Sequence, residues 1–303
     1  MTQHVRIVEV GPRDGLQNEK QAIATATKLE LIERLTEAGL RDIEVASFVS
    51  PKWVPQMADH AYIMAGLKRR GVNYPVLTPN MKGYEAALAA GAEEVAVFAS
   101  ASEGFSQKNI NCGIEESIKR FTPIFHAAKH DGVKVRGYIS CVIACPYDGA
   151  VAPEQVAQVA QRLLELGSYE VSLGDTIGAG TPARVLAMLE AVAKKVPIDQ
   201  LAGHYHDTYG MAVANVHASW RFGLRSFDTS IAGLGGCPYA KGATGNVATE
   251  DVVYLLHGEG ADTGIDLDRL VDCADWISRQ LDRAPNSRVS RAMLAKKCAA
   301  AAA

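Results

Sequence analysis

The stretch that decides the fold begins with Lys134-Val-Arg-Gly-Tyr-Ile-Ser140, continues through the helical pattern of Pro153–Leu166 and ends in Glu170-Val-Ser-Leu173. The first and last segments are short runs of apolar and β-branched residues. The segment between them repeats apolar residues at the spacing of one helix face. A strand, a helix and a second strand in this order form the unit of a parallel sheet. The pattern therefore predicts a βαβ unit in the middle of the chain.

The same alternation extends along almost the whole chain. We predict eight strands, at 5–10, 42–46, 74–77, 94–99, 134–140, 170–173, 202–206 and 226–232. Helical patterns lie between them, at 25–38, 56–69, 84–90, 115–130, 153–166, 182–195, 211–222 and 248–256. Eight such units predict an α/β fold of the (β/α)8 TIM barrel type. An open, doubly wound sheet is the alternative, but Gly11-Pro-Arg-Asp-Gly15 lacks the glycine-rich phosphate turn that usually follows its first strand.

The length and composition of the chain agree with one catalytic domain. Its 303 residues, 48% of them hydrophobic, are enough for one large core. We expect a single domain over 1–303, with the barrel at about 5–258 and a C-terminal helical extension at about 259–303. The extension contains a helical pattern at 267–281. It is expected to cap the barrel or to pack against another subunit.

Charge and cysteine usage exclude several classes of function. The formal net charge is -3 without a run of like charges, which argues against nucleic-acid or membrane-surface partners. Neither a secretion signal nor an apolar stretch long enough for a membrane span is visible, so we expect a cytoplasmic location. The six cysteines lack paired CxxC spacing and are expected to be reduced thiols.

Polar residues gather where the predicted strands end, which is the side of a barrel that carries chemistry. His204 and His206 are two residues apart on one strand, so both imidazoles face the same side. Taken alone, this pair also fits an ordinary polar strand end, and Asp14 alone fits a turn residue. Together with Asn246, however, they form a set of nitrogen and oxygen ligands that suits Mg2+ or Mn2+. The sequence therefore predicts a divalent-cation site.

A glycine-rich stretch follows the eighth predicted strand. It reads Gly233-Leu-Gly-Gly-Cys-Pro-Tyr-Ala-Lys-Gly-Ala-Thr-Gly-Asn246 and must form a loop. A thiol in a flexible loop near a cation is a candidate acid or base, so Cys237 is predicted to be functional. The remaining cysteines are interpreted as inert apolar residues.

At these residues the chain resembles the 3-hydroxy-3-methylglutaryl-CoA lyase family of metal-dependent barrels. The resemblance spans nearly the whole chain and rests on five motifs: Val8–Lys20, Phe48–Met57, Ser172–Gly178, His204–His206 and the loop that contains Cys237. It implies a divalent-metal-dependent retro-Claisen cleavage of a small 3-hydroxyacyl-CoA, with a homodimer as the expected assembly. Superfamily synthases share the Arg-Asp and His-x-His elements but lack the cysteine loop.

The resemblance also implies roles for individual residues. Asp14, His204, His206 and Asn246 match metal ligands, with Mg2+ or Mn2+ as the cofactor. Catalytic residues are matched by Arg13, Asp14, Glu44, Asp175 and Cys237, and substrate-binding residues by Arg13, Ser47 and Ser172.

Some features leave alternatives open. Ile231 stands where the family usually has valine, and the segment 281–288 departs from the family's coenzyme A-binding pattern. A lyase for a different 3-hydroxyacyl-CoA and a Claisen-condensing synthase therefore remain alternatives. A barrel that only binds or scaffolds is the third, because a fold alone never proves activity.

Overall fold

Parallel strands alternate with helices in the computed structural model, which describes residues 4–68, 71–236 and 245–302. The strands of the main sheet are β1 (Arg6–Glu9), β2 (Asp42–Ile43), β3 (Ala46–Ser47), β4 (Val76–Leu77), β5 (Glu94–Ser100), β6 (Lys134–Ser140), β9 (Glu170–Asp175), β10 (Leu201–Tyr205) and β11 (Ser226–Thr229). A small antiparallel hairpin, β7 (Ala144–Cys145) and β8 (Gly149–Ala150), lies outside this sheet.

The main sheet closes into a barrel through β2 and β3, which are the two halves of one strand. The order of strands runs β2-β1-β11-β10-β9-β6-β5-β4-β3, so these halves stand at its two ends. The two residues between them complete the closure: the Glu44 amide donates to the Glu9 carbonyl, and the Val45 amide donates to the Pro75 carbonyl. The result is the eight-stranded parallel TIM barrel that the sequence predicts.

Helices surround the barrel and continue past its last strand. They are α1 (Thr25–Glu37), α2 (His60–Gly66), α3 (Met81–Ala89), α4 (Glu103–Ile110), α5 (Ile114–Asp131), α6 (Pro153–Leu166), α7 (Pro182–Val192), α8 (Ala212–Phe222), α9 (Thr249–Gly258), α10 (Leu267–Gln280) and α11 (Arg288–Ala302). Their apolar faces pack on the outside of the sheet in one continuous core. None of the helices in the described ranges is both long and apolar enough to cross a membrane.

Local signals account for several helix ends. The Asn80 side chain accepts a hydrogen bond from the Gly83 amide at the start of α3. Pro153 opens α6, where a missing N–H costs nothing. Gly167 ends the same helix at φ 115°, a conformation that a residue with a Cβ rarely adopts. Thr181 occupies the N-cap position of α7, but its side chain makes no capping hydrogen bond.

The structure corrects several predicted boundaries. The helix predicted at 56–69 is shorter, because Pro55–Met57 forms a 3-10 turn before α2 begins. The strand predicted at 226–232 ends at Thr229, where the chain enters a 3-10 turn at Ile231–Gly233. Helix α4 was not predicted. It begins at Ser102, whose side chain accepts a hydrogen bond from the Phe105 amide, and Phe105 is buried.

The segment beyond 281 forms a helix that packs on its own chain. Helix α11 lies against α9 and α10. Asp251 of α9 holds its first turn by accepting hydrogen bonds from the Ser287 hydroxyl at 2.7 Å and the Val289 amide at 2.9 Å. Helix α11 thus packs on the helices that surround the barrel.

Charged residues occupy the interior of the barrel below its mouth. Arg136 is fully buried and lies between Glu170 and Asp228, each at 2.7 Å from its guanidinium. Arg6 reaches Glu170 from β1 at 2.5 Å. Two arginines, on β1 and β6, and two carboxylates, on β9 and β11, therefore compensate one another where barrels usually hold branched apolar side chains.

Candidate active site

A cavity of about 1150 Å³ opens at the carboxyl end of the barrel strands. Its inner wall is formed by Arg13, Asp14, Tyr138, His204 and His206. Ser172 and Thr176 also line it, as does the exposed Trp53. Residues from at least four strands thus converge on one space, which is where barrel enzymes hold their reactive groups.

Asp14 and the two histidines form a cluster on this wall. One oxygen of Asp14 and one nitrogen from each of His204 and His206 lie within 4.8 Å of one another. The two imidazole Nε2 atoms are 3.4 Å apart. Two ligands at about 2.1 Å from one octahedral ion are separated by about 3 Å, so this distance suits a shared cation.

Asn246 completes the cluster from the far end of the glycine-rich segment. Its Nδ2 donates to Asp14 Oδ2 at 2.8 Å and to the Leu234 carbonyl at 3.2 Å. Its Oδ1 and His206 Nδ1 are both buried, and neither forms a hydrogen bond of good geometry among the described residues, although an interaction between the two side chains favours the protonated form of His206. Buried polar atoms without a good hydrogen bond are rare, so the donor set fits a bound cation. The structure therefore brings together the four residues that the sequence predicts as ligands, with Asn246 joined to the cluster through Asp14.

Electrostatics keep the cluster in a form suited to metal binding. Burial opposes the ionisation of Asp14, but Arg13 and the two imidazoles lower the pKa of Asp14 below its ordinary value. Burial and the neighbouring His204 lower the pKa of His206 to about 4. His206 is therefore neutral at neutral pH, with a lone pair available. Burial opposes the charged form of His204 as well, but Asp228 raises its pKa, so a proton competes with a cation there.

Arg13 is held beside the cluster by two carboxylates. Its Nη1 donates to Asp14 Oδ1 at 2.7 Å, and its Nε donates to Glu44 Oε2 at 2.7 Å. Although burial opposes the charge, these carboxylates raise the pKa of Arg13 above its ordinary value. Both contacts depend on the π-helical turn at Gly11–Gly15, which directs Arg13 and Asp14 inward. The site thus contains a permanent positive charge.

Other predicted site residues lie nearby in different environments. Asp175 is buried, and its carboxylate accepts hydrogen bonds from the Ala179 and Gly180 amides at 3.1 and 2.7 Å. It is not among the described residues that line the cavity, because the alternation of β9 points Ser172 and Gly174 inward. Ser47 is fully buried, and its Oγ accepts a hydrogen bond from the Val49 amide. Ser172 lines the cavity and donates to Asp228 at 2.7 Å.

Two buried glutamates hold the start of the glycine-rich segment. The Ile231 amide donates to Glu9 at 2.8 Å, and the Ala232 amide donates to Glu250 at 3.0 Å. Asn286, in the segment that departs from the family's pattern, donates its backbone amide to the Ala232 carbonyl at 2.9 Å. Cys237 lies outside the described residues. Within the described residues, no disulfide is formed by the five cysteines Cys112, Cys141, Cys145, Cys273 and Cys298.

Sequence reasoning missed Asp228, Arg136 and Tyr138. Asp228 contacts His204, and Tyr138 lines the cavity with its ring 5.9 Å from the Arg13 guanidinium. The two-residue period of a strand could have indicated them, because Arg136 and Tyr138 share one face of β6. Asp228 could have been noticed because a carboxylate inside a strand is unfavourable on an apolar face unless it has a partner.

Comparison with known proteins agrees with this geometry. A model of the HMGL-like family matches residues 4–277. The chain is 60% identical over 293 residues to the 3-hydroxy-3-isohexenylglutaryl-CoA/hydroxy-methylglutaryl-CoA lyase of Pseudomonas aeruginosa, covering 96% of this chain and 98% of that protein. It is 56% identical to the mitochondrial hydroxymethylglutaryl-CoA lyase of Bos taurus, covering 95% and 89% of the two chains. The crystal structure of hydroxymethylglutaryl-CoA lyase from P. aeruginosa superimposes with a TM-score of 0.95 at 59% identity, covering 98% and 99%.

Proposed function

Because the chain belongs to the HMGL-like family, we propose that it is a hydroxymethylglutaryl-CoA lyase, which cleaves 3-hydroxy-3-methylglutaryl-CoA to acetyl-CoA and acetoacetate. The observation that carries the proposal is the contact between Arg13 and Asp14. It places a permanent positive charge 2.7 Å from the carboxylate of a cation-binding cluster, on the wall of a cavity large enough for an acyl-CoA arm.

The proposed cofactor is Mg2+ or Mn2+, held by Asp14, His204, His206 and Asn246. One carboxylate, one amide oxygen and two imidazoles form a mixed oxygen and nitrogen set without a thiolate, which favours these cations over zinc. When bound, the cation supplies Lewis acidity that makes a substrate hydroxyl more acidic. Asn246 Oδ1, which lacks a hydrogen bond of good geometry, supports this assignment, because a buried carbonyl oxygen gains a partner when a cation binds.

The proposed reaction is a retro-Claisen cleavage. The tertiary hydroxyl at C3 gives its proton to a general base, for which Asp14 and Asp175 are the candidate carboxylates. The C2–C3 bond then breaks, and its electron pair moves onto the thioester to form an enolate. A proton delivered to C2 then yields acetyl-CoA, and the former hydroxyl carbon becomes the ketone of acetoacetate. Arg13 stabilises the enolate oxygen, because its charge is in place before the reaction starts. Cys237 is proposed to deliver the proton to C2.

The remaining site residues are proposed to hold these groups in place. Glu44 fixes the Arg13 guanidinium through two of its nitrogens, at 2.7 and 2.6 Å. Asp175 holds the loop that follows β9, and Thr176 of that loop lines the cavity. Ser172 presents its hydroxyl to the substrate, and Ser47 shapes the turn that leads to Val49. In these proposed roles, Ser172 contacts the substrate, whereas Glu44, Asp175 and Ser47 position other groups of the site.

The outer part of the cavity suits coenzyme A. Its exposed rim includes the cationic side chains Lys20, Lys108 and Arg120, which complement the phosphates of the coenzyme. These residues offer an alternative to the family's coenzyme-binding pattern, from which 281–288 departs. We also propose a homodimer, on the family resemblance, and a cytoplasmic location, as expected from the sequence.

Acetyl-CoA release from a panel of 3-hydroxyacyl-CoA substrates tests the proposal. The panel includes the methyl and isohexenyl compounds that are named for the P. aeruginosa relative, each with Mg2+, Mn2+ or chelator. We expect the methyl compound to release acetyl-CoA when it is the single substrate supplied. Turnover only when acetyl-CoA and a 2-oxo acid are supplied together would instead identify a condensing synthase. Turnover of the isohexenyl compound only would identify that compound as the substrate. Failure of the protein to bind Mn2+ would favour a non-catalytic scaffold protein.

A further inference from the structure

One side of the His204 ring faces the other residues of the candidate cation site, and the other side faces a buried carboxylate. His204 Nδ1 lies 3.1 Å from Asp228 Oδ2. The two residues stand opposite each other in the register of β10 and β11, so both side chains point into the barrel from neighbouring strands. Asp228 is 1% exposed and is therefore shielded from competing water. The contact is thus built into the pairing of the two strands.

Three donors converge on Asp228. The Arg136 guanidinium donates to Oδ1 at 2.7 Å, and the Ser172 hydroxyl donates to Oδ2 at 2.7 Å, where His204 also binds. Arg136 and Ser172 come from β6 and β9, so two further strands hold this carboxylate in place. The ion pair with the Arg136 guanidinium favours the ionised form of this buried group. Asp228 is therefore a carboxylate that only accepts hydrogen bonds.

An accepting carboxylate determines which nitrogen of His204 carries the proton. The hydrogen bond requires the proton on Nδ1, which leaves the lone pair on Nε2. Nε2 is the atom that faces His206 in the cluster. A carboxylate behind a ligand imidazole also raises its basicity and fixes the orientation of the ring.

We propose that Asp228, held by Arg136, is a positioning residue that keeps His204 in the tautomer required for cation binding. This inference rests on the proposed cation site. It gives a reason for the fully buried Arg136: a lone buried carboxylate is unfavourable, and the guanidinium compensates its charge. The Arg136 guanidinium also binds Glu170, which lies two residues before Ser172 on β9.

Replacement of Asp228 by asparagine preserves the shape and changes the hydrogen bonding. An amide has one accepting oxygen for three donors, and an amide NH2 facing Nδ1 favours the opposite tautomer. We expect Asp228→Asn to bind Mn2+ about 10- to 100-fold more weakly than the wild type, measured by electron paramagnetic resonance titration of the free ion. Circular dichroism and thermal melting verify that the variant is folded.

Glu170→Gln is the matched control. It removes the other carboxylate of Arg136, at the same distance of 2.7 Å, but leaves the contact between Asp228 and His204 intact. We expect it to lower the melting temperature and to retain the Mn2+ affinity of the wild type. Equal weakening in both variants would show that the buried charges only stabilise the fold, and would overturn the inference.

The tautomer itself is measurable in the wild-type protein, which keeps the inference testable if Asp228→Asn does not fold. In metal-free protein labelled with 15N-histidine, the His204 signals are those missing in His204→Gln. At alkaline pH, long-range 1H–15N spectra should show a protonated Nδ1 and an unprotonated Nε2. The reverse assignment would overturn the inference. Absence of Mn2+ binding by the wild type would contradict the proposed function, whereas unchanged affinity in Asp228→Asn contradicts only this inference.

Discussion

Replacement of Arg13 by methionine tests the proposed charge stabilisation most directly, because the structure predicts two separable effects. Methionine keeps an unbranched apolar side chain but removes the guanidinium. In the folded protein that group makes hydrogen bonds of 2.7 Å to both Glu44 and Asp14, and the Arg13 side chain is 8% exposed. The substitution therefore removes charge from the reaction site and also leaves a buried carboxylate uncompensated.

The two effects have different magnitudes and different observables. Loss of a charge that stabilises an enolate resembles the loss of one oxyanion donor, which lowers kcat about 100- to 1000-fold. Glu44 is fully buried, and breaking a buried ion pair from one side costs about 3–5 kcal/mol of the free energy of unfolding. That is a large share of the roughly 5–15 kcal/mol available to a typical protein. In the single variant, a loss of activity could therefore come either from slower catalysis or from a smaller fraction of folded protein.

The double variant Arg13→Met/Glu44→Gln separates the effect on catalysis from the effect on stability, because a neutral amide at position 44 does not need a guanidinium to compensate it. We expect it to regain most of the free energy of unfolding, measured by denaturant titration, but not kcat, measured by acetyl-CoA release under saturating substrate. Arg279→Met is the control, since Arg279 is 76% exposed and pairs only at the surface. Recovery of kcat in the double variant would refute the role of Arg13 in stabilising charge. A change confined to KM would show that Arg13 only binds substrate.

Further predictions concern the cation, pH and the thiol. Chelation should abolish activity and Mg2+ or Mn2+ should restore it, while His206→Ala should fold normally but bind Mn2+ weakly; an unfolded variant in circular dichroism would indicate a structural histidine. Burial raises the pKa of Glu250 to about 8 from 4.5, so the folded chain keeps a proton that the unfolded chain has released. The contribution of Glu250 to the free energy of unfolding is fully present below the pKa of glutamate in the unfolded chain, and it is lost as pH rises through about 8. The melting temperature should therefore decrease between about pH 5 and 8, and Glu250→Gln should flatten the decrease; identical slopes would contradict it. Cys237→Ser should fold and bind metal but turn over about 100- to 10,000-fold more slowly, whereas Cys298→Ser, at an exposed thiol, should be unaffected; near-normal kcat in Cys237→Ser would reject the acid.

Local sequence patterns identified the strands and helices that have strong periodicity. The predicted bounds of Lys134–Ser140 and Pro153–Leu166 agree with β6 and α6, because the apolar pattern, the opening proline and the closing glycine are all local. Helix α4 lacks such a pattern. Its start depends on Asp148, which accepts hydrogen bonds from Ser102 and the Gly104 amide and lies more than 40 residues away.

The candidate ligands were predictable because Asp14, His204 and His206 lie at or just after strand ends, and Asn246 closes the glycine-rich segment; local patterns locate both features. The period of two placed His204 and His206 on one face, and barrel closure brings Asp14 and Asn246 to them. The family resemblance also predicted Asp175 and Ser47 as site residues. Which face of the strand each occupies, and the amides that satisfy the Asp175 carboxylate, emerge only in the folded loop.

The sequence by itself determined the alternation of strands and helices, the end of the barrel that carries chemistry and the types of ligand gathered there, since all three follow from local spacing. Tertiary structure decided which side chains meet. Asp228 becomes the partner of His204 only through the register of two strands, and Arg136 joins it from a third. Such pairings arise from closing the barrel around its interior, where every buried charge must find a compensating neighbour, and short-range sequence patterns do not specify that neighbour.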